Sequence, residues 1–254
     1  MHFLNKSNGN AKKISLWLQI ERRESADHEP CLQEIFYETG NMNATVATAL
    51  AELNQNPCKD RKGNDVAPIR WECSCLQKKC GACAMVINGV PRLACDSFLR
   101  DYKKTVQIEP LHKFPIIADL IVDRSILFDN LKKLGVWIEE ESHLAEKDIE
   151  LVYEASKCLQ CGCCLEICPD FCCGQKFCGA AGFVPAAAAL AMTGKNQQQE
   201  MIPGYMEHIY EGCGKSYACK NICPAGIDTE YMLVHSNKIA LWKKKEKKKK
   251  GEIT

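Results

Sequence analysis

Residues 158–169 read CLQCGCCLEICP, and the interpretation of the whole chain starts from this stretch. The spacing C-x2-C-x2-C-x3-C-P is formed by Cys158, Cys161, Cys164 and Cys168. This spacing is typical of ligands to a cubane iron–sulfur cluster, where the first three thiolates bind one cluster. The fourth, which precedes the proline, binds the other cluster in proteins that hold two. The stretch therefore predicts a second set of cysteines elsewhere in the chain.

That second set lies in residues 213–224, where Ser216 stands in the place of the second cysteine. By the crossed rule, one [4Fe–4S] cluster receives Cys158, Cys161, Cys164 and Cys223. The other cluster receives Cys168, Cys213 and Cys219. Three thiolates leave one iron without its ligand, so we expect a [3Fe–4S] cluster with Ser216 facing the empty corner. A serine alkoxide that holds a fourth iron is the alternative.

A further set of cysteines precedes these two blocks and consists of Cys75, Cys80, Cys83 and Cys95. The spacing C-x4-C-x2-C…C is typical of a plant-type [2Fe–2S] cluster. Gly81 lets the backbone approach the inorganic sulfides without a side chain in the way, and Cys95 is expected on the strand after a hairpin turn. A structural zinc site is the competing interpretation, although zinc ribbons favour two short C-x2-C pairs.

Composition is compatible with one large domain or two small ones in 254 residues. The start of the chain is polar and basic, so the 18 cysteines favour metal binding over a disulfide scaffold. No apolar run approaches the ~20 residues that a spanning helix needs, and the longest candidate is residues 184–192. Any membrane contact would therefore be peripheral or through a partner. The net charge of +1 gives no reason to predict a nucleic-acid partner.

Residues 1–110 are predicted to form a small α+β domain that carries the first cysteine set. Alternating apolar residues predict a strand over 12–22, paired with a second strand over 31–40. Asn43 or Thr45 is expected to cap a helix that begins near Val46. Further strands are predicted at 69–72, 84–88 and 106–108, and Asn88-Gly89 predicts a two-residue hairpin turn.

Residues 111–242 are predicted to form an all-helical domain around the other two cysteine sets. The predicted helices cover 116–134, 147–157, a segment after Pro185, and 228–242. The basic tail, residues 243–254, is predicted to be disordered. Attraction of its lysines to anionic lipid head groups is the alternative.

The remaining seven cysteines are interpreted mainly as small buried hydrophobic residues; they are Cys31, Cys58, Cys73, Cys163, Cys172, Cys173 and Cys178. A further cluster or redox thiol at Cys172, Cys173 and Cys178 is the less favoured alternative. The six histidines show no ligand spacing, and we predict no catalytic residue in this chain.

The order of these motifs resembles the iron–sulfur subunit of succinate dehydrogenase and fumarate reductase, the complex II family. The fold class implied is α+β: an N-terminal β-grasp [2Fe–2S] ferredoxin-like domain, then an all-helical domain similar to two-cluster bacterial ferredoxins. The segments FPIIADLIVDRS (114–125) and GAAGFVPAAAAL (179–190) also resemble family segments.

The resemblance implies a relay of electrons between an FAD-containing flavoprotein subunit and a quinone in a membrane-anchor subunit. The path would run through [2Fe–2S], [4Fe–4S] and [3Fe–4S], and this chain would do no substrate chemistry. It would be a peripheral subunit at the cytoplasmic face of the cell membrane. The alternative is the iron–sulfur subunit of a soluble thiol-linked fumarate reductase or another flavoenzyme. The sequence does not indicate whether succinate oxidation or fumarate reduction is the physiological direction.

Two departures from the family pattern limit this expectation. The first cysteine loop reads CLQKKCGAC (75–83) where the family has C-R-E-G-x-C-G-x-C, so its turn or partner contact is expected to differ. Ubiquinone-linked members carry aromatic residues where this chain has Cys172 and Cys173, and histidine where it has Gly214. This difference leaves menaquinone or an unusual acceptor open, and we predict menaquinone.

Overall fold

The computed structural model describes residues 12–139, 142 and 144–242. A five-stranded sheet forms its N-terminal half, with strand order β2-β1-β5-β3-β4. The strands are β1 (Ile14–Arg22), β2 (Cys31–Thr39), β3 (Ala84–Ile87), β4 (Val90–Leu93) and β5 (Thr105–Glu109). β1 is antiparallel to β2 and parallel to β5. The predicted tail, residues 243–254, lies outside the described residues.

Local sequence accounts for most of this sheet. Ile14, Leu16, Leu18 and Ile20 alternate along β1 and are all buried, as a period of two requires of a strand with one covered face. Helix α1 (Val46–Gln55) begins after Thr45, whose hydroxyl accepts a hydrogen bond from the Thr48 N–H at 3.2 Å.

Asn88 and Gly89 join β3 to β4 with φ angles of 49° and 73°. This left-handed pair produces the tight hairpin that the Asn-Gly dipeptide predicts. The predictions for β1, β2, α1 and this turn are confirmed.

The predicted strand at residues 69–72 is wrong. Its backbone groups bond with side chains and with the Leu120 N–H in a turn, instead of with a neighbouring strand. The Ile69 N–H donates to Asn54 Oδ1 at 2.7 Å, and the Ile69 carbonyl accepts from Asn54 Nδ2 at 2.8 Å. The Arg70 N–H donates to the Asp119 carboxylate at 2.9 Å. Because these backbone N–H and carbonyl groups already have hydrogen-bond partners, the segment does not pair with a strand of the sheet.

The predicted helix over 116–134 is wrong in its first half. Residues Ile116–Ala118 (β6) and Ile121–Val122 (β7) form a two-stranded sheet, and helix α2 begins only at Ser125 and ends at Lys133. The turn between the strands places Asp119 at φ 45°, a conformation that aspartate tolerates better than most residues. The domain that follows residue 110 is therefore not entirely helical.

The Asp119 carboxylate fixes this hairpin against the N-terminal sheet. Only 1% of the residue is exposed, and its oxygens accept from the Arg23 N–H at 2.9 Å and from Arg70 Nε at 3.2 Å. Arg22 Nε lies 3.2 Å from the same carboxylate. Burial acts to raise the pKa of Asp119, but these donors outweigh it and hold the pKa below its ordinary value.

Within the described residues, six α-helices follow α2: α3 (Ile149–Ser156), α4 (Cys163–Glu166), α5 (Gly179–Met192), α6 (Lys195–Tyr205), α7 (Ala218–Ile222) and α8 (Thr229–Asn237). A π-helical turn extends α6 to Tyr210, and another extends α8 to Trp242. The helices predicted over 147–157 and 228–242 are confirmed, whereas α6 is not among the helices predicted from the sequence. Among the described residues, no helix is both long and apolar enough to cross a bilayer.

Helix α5 begins before Pro185, not after it as predicted. Gly179 starts the helix, and Pro185 lies inside it. Proline lacks the N–H that would bond to the carbonyl four residues earlier, so the Ala181 carbonyl is free for another donor. Gln160 Nε2 donates to this oxygen at 3.0 Å. A side chain from a cysteine loop thus replaces the missing helix bond.

We predict that Asp119→Asn lowers the free energy of unfolding by about 3 kcal/mol, because it leaves the partly buried Arg22 and the N–H groups of Arg23 and Arg70 without their anion. The control is Asp129→Asn, which removes a half-exposed ion pair with Lys132 and should cost less than about 1 kcal/mol. Guanidinium titration of the cluster-loaded chain, followed by the fluorescence of Trp17 and Trp71, measures both variants. Equal midpoints for the two variants would contradict the anchoring role of Asp119.

Candidate metal centres

In the first cysteine loop, residues 75–83, main-chain N–H groups donate hydrogen bonds to cysteine sulfurs. The N–H groups of Gln77 and Lys79 each donate to Cys75 Sγ at 3.3 Å, and that of Lys78 donates to Cys95 Sγ at 3.3 Å. Cys95 lies in a helical turn directly after β4, not on the strand as predicted. Donors of this kind stabilise a charged sulfur, so the loop is built to hold thiolates.

Lys78 occupies the position of the family's loop glycine and adopts its left-handed conformation, with φ 58°. Its Nζ lies 2.6 Å from Asp96 Oδ2, next to Cys95. This ion pair ties the loop tip to the turn after β4. The loop therefore forms a left-handed turn at Lys78 without a glycine at this position.

The thiols of this first set differ in pKa. Hydrogen bonds from the N–H groups of Gln77 and Lys79 lower the pKa of the Cys75 thiol to about 7. Burial raises the pKa of Cys83 to about 12. A charged Cys83 therefore requires a nearby positive centre, which a metal core supplies.

The second set gathers four cysteines from both halves of the helical region. Cys158 follows α3, Cys164 lies in α4 and Cys223 follows α7, while Cys161 lies in a loop that turns at Gly162 with φ 88°. Burial raises the pKa of Cys164 well above its ordinary value, and charge on Cys161, Cys158, Cys219 and Cys223 raises it further. The other three predicted ligands of this set, together with Cys219 of the third set, therefore lie within electrostatic range of Cys164.

The third set lines one cavity. Cys168, Cys213, Cys219 and Ser216 all contribute to its wall. Cys219 Sγ lies 3.2 Å from the hydroxyl oxygen of Thr229, which is buried. Ser216 is exposed and reaches the cavity from the solvent side. The serine is therefore next to these three thiols, as the repeat predicts.

Sulfur spacing distinguishes a cluster from a single zinc ion. A tetrahedral zinc site with Zn–S bonds of ~2.3 Å holds its sulfurs roughly 3.8 Å apart. Among the described residues, no three cysteine sulfurs lie within 4.8 Å of one another. Within the described part of the chain, no three of these thiols are as close together as the sulfurs around a single zinc ion.

The first and second cysteine loops meet at Gly81. A Cβ at this position, where φ is 76°, would lie 2.8 Å from both the Leu159 carbonyl oxygen and Cys161 Cβ. Gly81 therefore permits contact between the loops, in addition to the role that its sequence position suggests. Arg124 holds the contact by donating to the carbonyls of Gly81 at 3.0 Å and Ala82 at 2.7 Å, and it also pairs with Glu72.

Sequence reasoning missed two residues at these sites, Arg124 and Gln160. Arg124 is the second-last residue of the quoted segment 114–125, but it donates to a pair of carbonyls that no sequence pattern reveals. Gln160 lies between two cysteines of the motif, and its Nε2 donates to Cys158 Sγ at 3.3 Å. Its position inside the motif is the signal that could have identified it.

The spare cysteines are only partly as expected. Cys163 and Cys178 are buried, as predicted for hydrophobic filler. Cys31, Cys73 and Cys172 are exposed, and the other two, Cys58 and Cys173, are intermediate. For the three exposed thiols, the interpretation as buried residues is wrong.

Comparisons with known proteins agree with this architecture. Residues 17–129 match the family described as a 2Fe-2S iron–sulfur cluster binding domain. The chain is 37% identical to the succinate dehydrogenase iron–sulfur subunit of Bacillus subtilis over 82% of this chain and 85% of the relative. It is 30% identical to the fumarate reductase iron–sulfur subunit of Escherichia coli over 67% of this chain and 72% of the relative.

A solved structure shares the fold. A chain of the Mycobacterium smegmatis Sdh1 complex superposes with a TM-score of 0.71 and 19% identity, covering 90% of this chain and 97% of the other. The sheet and its cysteine loop define an iron–sulfur protein with a [2Fe–2S] binding domain. More narrowly, the chain belongs to the family of iron–sulfur subunits of succinate dehydrogenases and fumarate reductases, which are parts of an oxidoreductase complex.

We predict that Gly81→Ala separates the two cysteine loops. The new methyl group meets backbone and Cys161 at 2.8 Å, in addition to the strain of a left-handed alanine, about 1–2 kcal/mol. Gly89→Ala is the matched control, since its φ is 73° and nothing lies within 4 Å of the added Cβ. We expect a lower thermal midpoint and lower iron content for Gly81→Ala than for Gly89→Ala. Matching values would show that the contact is unimportant.

Proposed function

We propose that this chain is the electron-transfer subunit of a succinate:quinone or quinol:fumarate oxidoreductase. The observation that carries the proposal is the grouping of eleven cysteines into three sets with the family's spacing. When bound, [2Fe–2S], [4Fe–4S] and [3Fe–4S] clusters would supply one-electron transfer. We assign no substrate chemistry to the chain itself.

We assign the ligands as the sequence predicts. The first set, Cys75, Cys80, Cys83 and Cys95, would hold the [2Fe–2S] cluster. The second set, Cys158, Cys161, Cys164 and Cys223, would hold the [4Fe–4S] cluster. The third set, Cys168, Cys213 and Cys219, would hold the [3Fe–4S] cluster. Each set is supported by the proximity of its sulfurs and by donors or burial around them.

Side chains around these sets position them relative to one another. Arg124 and Gly81 keep the first loop against the second. Lys113 links the third set to the segment between the domains, because its Nζ donates to the carbonyls of Cys168 and Phe171. One hydrophobic core cluster contains residues of both proposed domains, 1–110 and 111–242, while a second cluster lies within the latter. This packing supports a fixed spacing between the three sets.

Partners would bind at opposite ends of the series of sets. We assign the surface near Leu76, a half-exposed apolar residue beside Cys75, to an FAD-containing flavoprotein subunit. Ile167 and Tyr210, which are also exposed, flank the third set in sequence and would face a membrane-anchor subunit with its quinone. We predict menaquinone, and a peripheral position at the cytoplasmic face of the membrane.

Purification of the native complex tests this proposal. We expect a flavoprotein and a membrane subunit to accompany the chain, with electron exchange between succinate or fumarate and a menaquinone analogue. A soluble complex that uses thiols and not quinols would support the alternative, a thiol-linked fumarate reductase. A colourless chain that holds zinc and no sulfide would overturn both interpretations.

We predict that Ser216→Cys supplies the missing fourth thiolate of the third set. Iron should rise by about one atom per chain, and the EPR signal of an oxidised [3Fe–4S] cluster should disappear. Ser25→Cys is the control, since it adds a thiol in the β1–β2 turn, outside the three sets. Unchanged iron and signal in Ser216→Cys would show that Ser216 does not face an open corner.

A further inference from the structure

Gln160 makes two hydrogen bonds from a single amide nitrogen. Its Nε2 donates to Cys158 Sγ at 3.3 Å and to the Ala181 carbonyl at 3.0 Å. The residue lies between two predicted ligands with φ 48°, a left-handed conformation. This turn directs the side chain back toward Cys158.

Pro185 creates the acceptor that anchors this amide. Because Pro185 has no N–H, the Ala181 carbonyl lacks its helical partner. Gln160 supplies the missing donor and is thereby held with its nitrogen toward the sulfur. The opposite amide orientation would leave the Ala181 carbonyl without a donor and would place an oxygen against Cys158.

The amide oxygen of Gln160 argues against a purely stabilising role. Oε1 is buried and has no hydrogen-bond partner among the described residues. An unpaired buried acceptor destabilises the folded state. Replacing Gln160 by leucine removes the unpaired oxygen, which stabilises the fold. The same change removes the hydrogen bond to the Ala181 carbonyl, which destabilises it, so the two effects oppose each other. A residue kept for stability alone would not be arranged in this way.

Donors to cluster sulfurs are among the factors that set the reduction potential of a cluster. A hydrogen bond draws negative charge from the sulfur and therefore favours the reduced, more negative state of the cluster. We propose that Gln160 is a positioning residue that raises the midpoint potential of the cluster held through Cys158. The inference rests on the proposed assignment of Cys158 as a ligand of the [4Fe–4S] cluster.

Redox titration followed by EPR on the intact complex tests this role, with the other two clusters as internal references. Gln160→Leu should lower the potential of the [4Fe–4S] cluster alone. The one-electron equilibrium should change at least threefold, or about 30 mV at 59 mV per tenfold. Gln160→Glu keeps the chain length but replaces the donor by a charge, so its shift should be larger and in the same direction.

Gln199→Leu is the matched control, because Gln199 is an exposed glutamine on α6. Its three potentials should equal those of the wild type. An unchanged [4Fe–4S] potential in Gln160→Leu, or equal shifts in all three clusters, would overturn the inference. Absence of a [4Fe–4S] signal in the wild type would instead overturn the proposed function, so the two failures are distinguishable.

Discussion

Repulsion among buried sulfurs is the constraint on which the C-terminal half of this structure depends. Burial alone raises the pKa of Cys158, Cys213 and Cys219, and neighbouring thiols raise each of them further. Several thiolates cannot share such an environment without a positive centre between them. Cys158 follows α3 and Cys219 lies in α7, while Cys213 follows the helical turn that extends α6, and this arrangement supports the proposed metal centres between the sulfurs. In the first loop, N–H groups around the sulfurs stabilise negative charge in a similar way.

The N-terminal sheet and the helical region are joined by a few specific contacts. Asp119 ties the β6–β7 hairpin to Arg22 and Arg70, and Arg124 ties the start of α2 to the carbonyls around Gly81. Both contacts fix backbone that carries or adjoins a cysteine loop. Relative position of the loops is therefore set by buried charge and by close backbone packing, and both are sensitive to a single substitution.

Sequence predicted what depends on short-range spacing. The alternating β1 strand, the cap at Thr45 and the Asn88-Gly89 turn all follow local rules. The helix predicted over 116–134 failed because the turn at Asp119 is held by arginines 49 and 97 positions away. The start of α5 failed for a similar reason, since Gln160 replaces the bond that Pro185 cannot make. Both helix predictions were wrong because they depended on contacts between segments that are distant in the sequence.

We propose above all that this one polypeptide binds three iron–sulfur clusters through eleven cysteine sulfurs. Chemical analysis of the purified chain for iron and acid-labile sulfide measures this most directly. The account predicts about nine irons and ten sulfides per chain, as clusters with two, four and three irons require. About two irons per chain would confine cluster binding to the N-terminal domain and contradict the account. Stoichiometric zinc without sulfide would contradict it entirely.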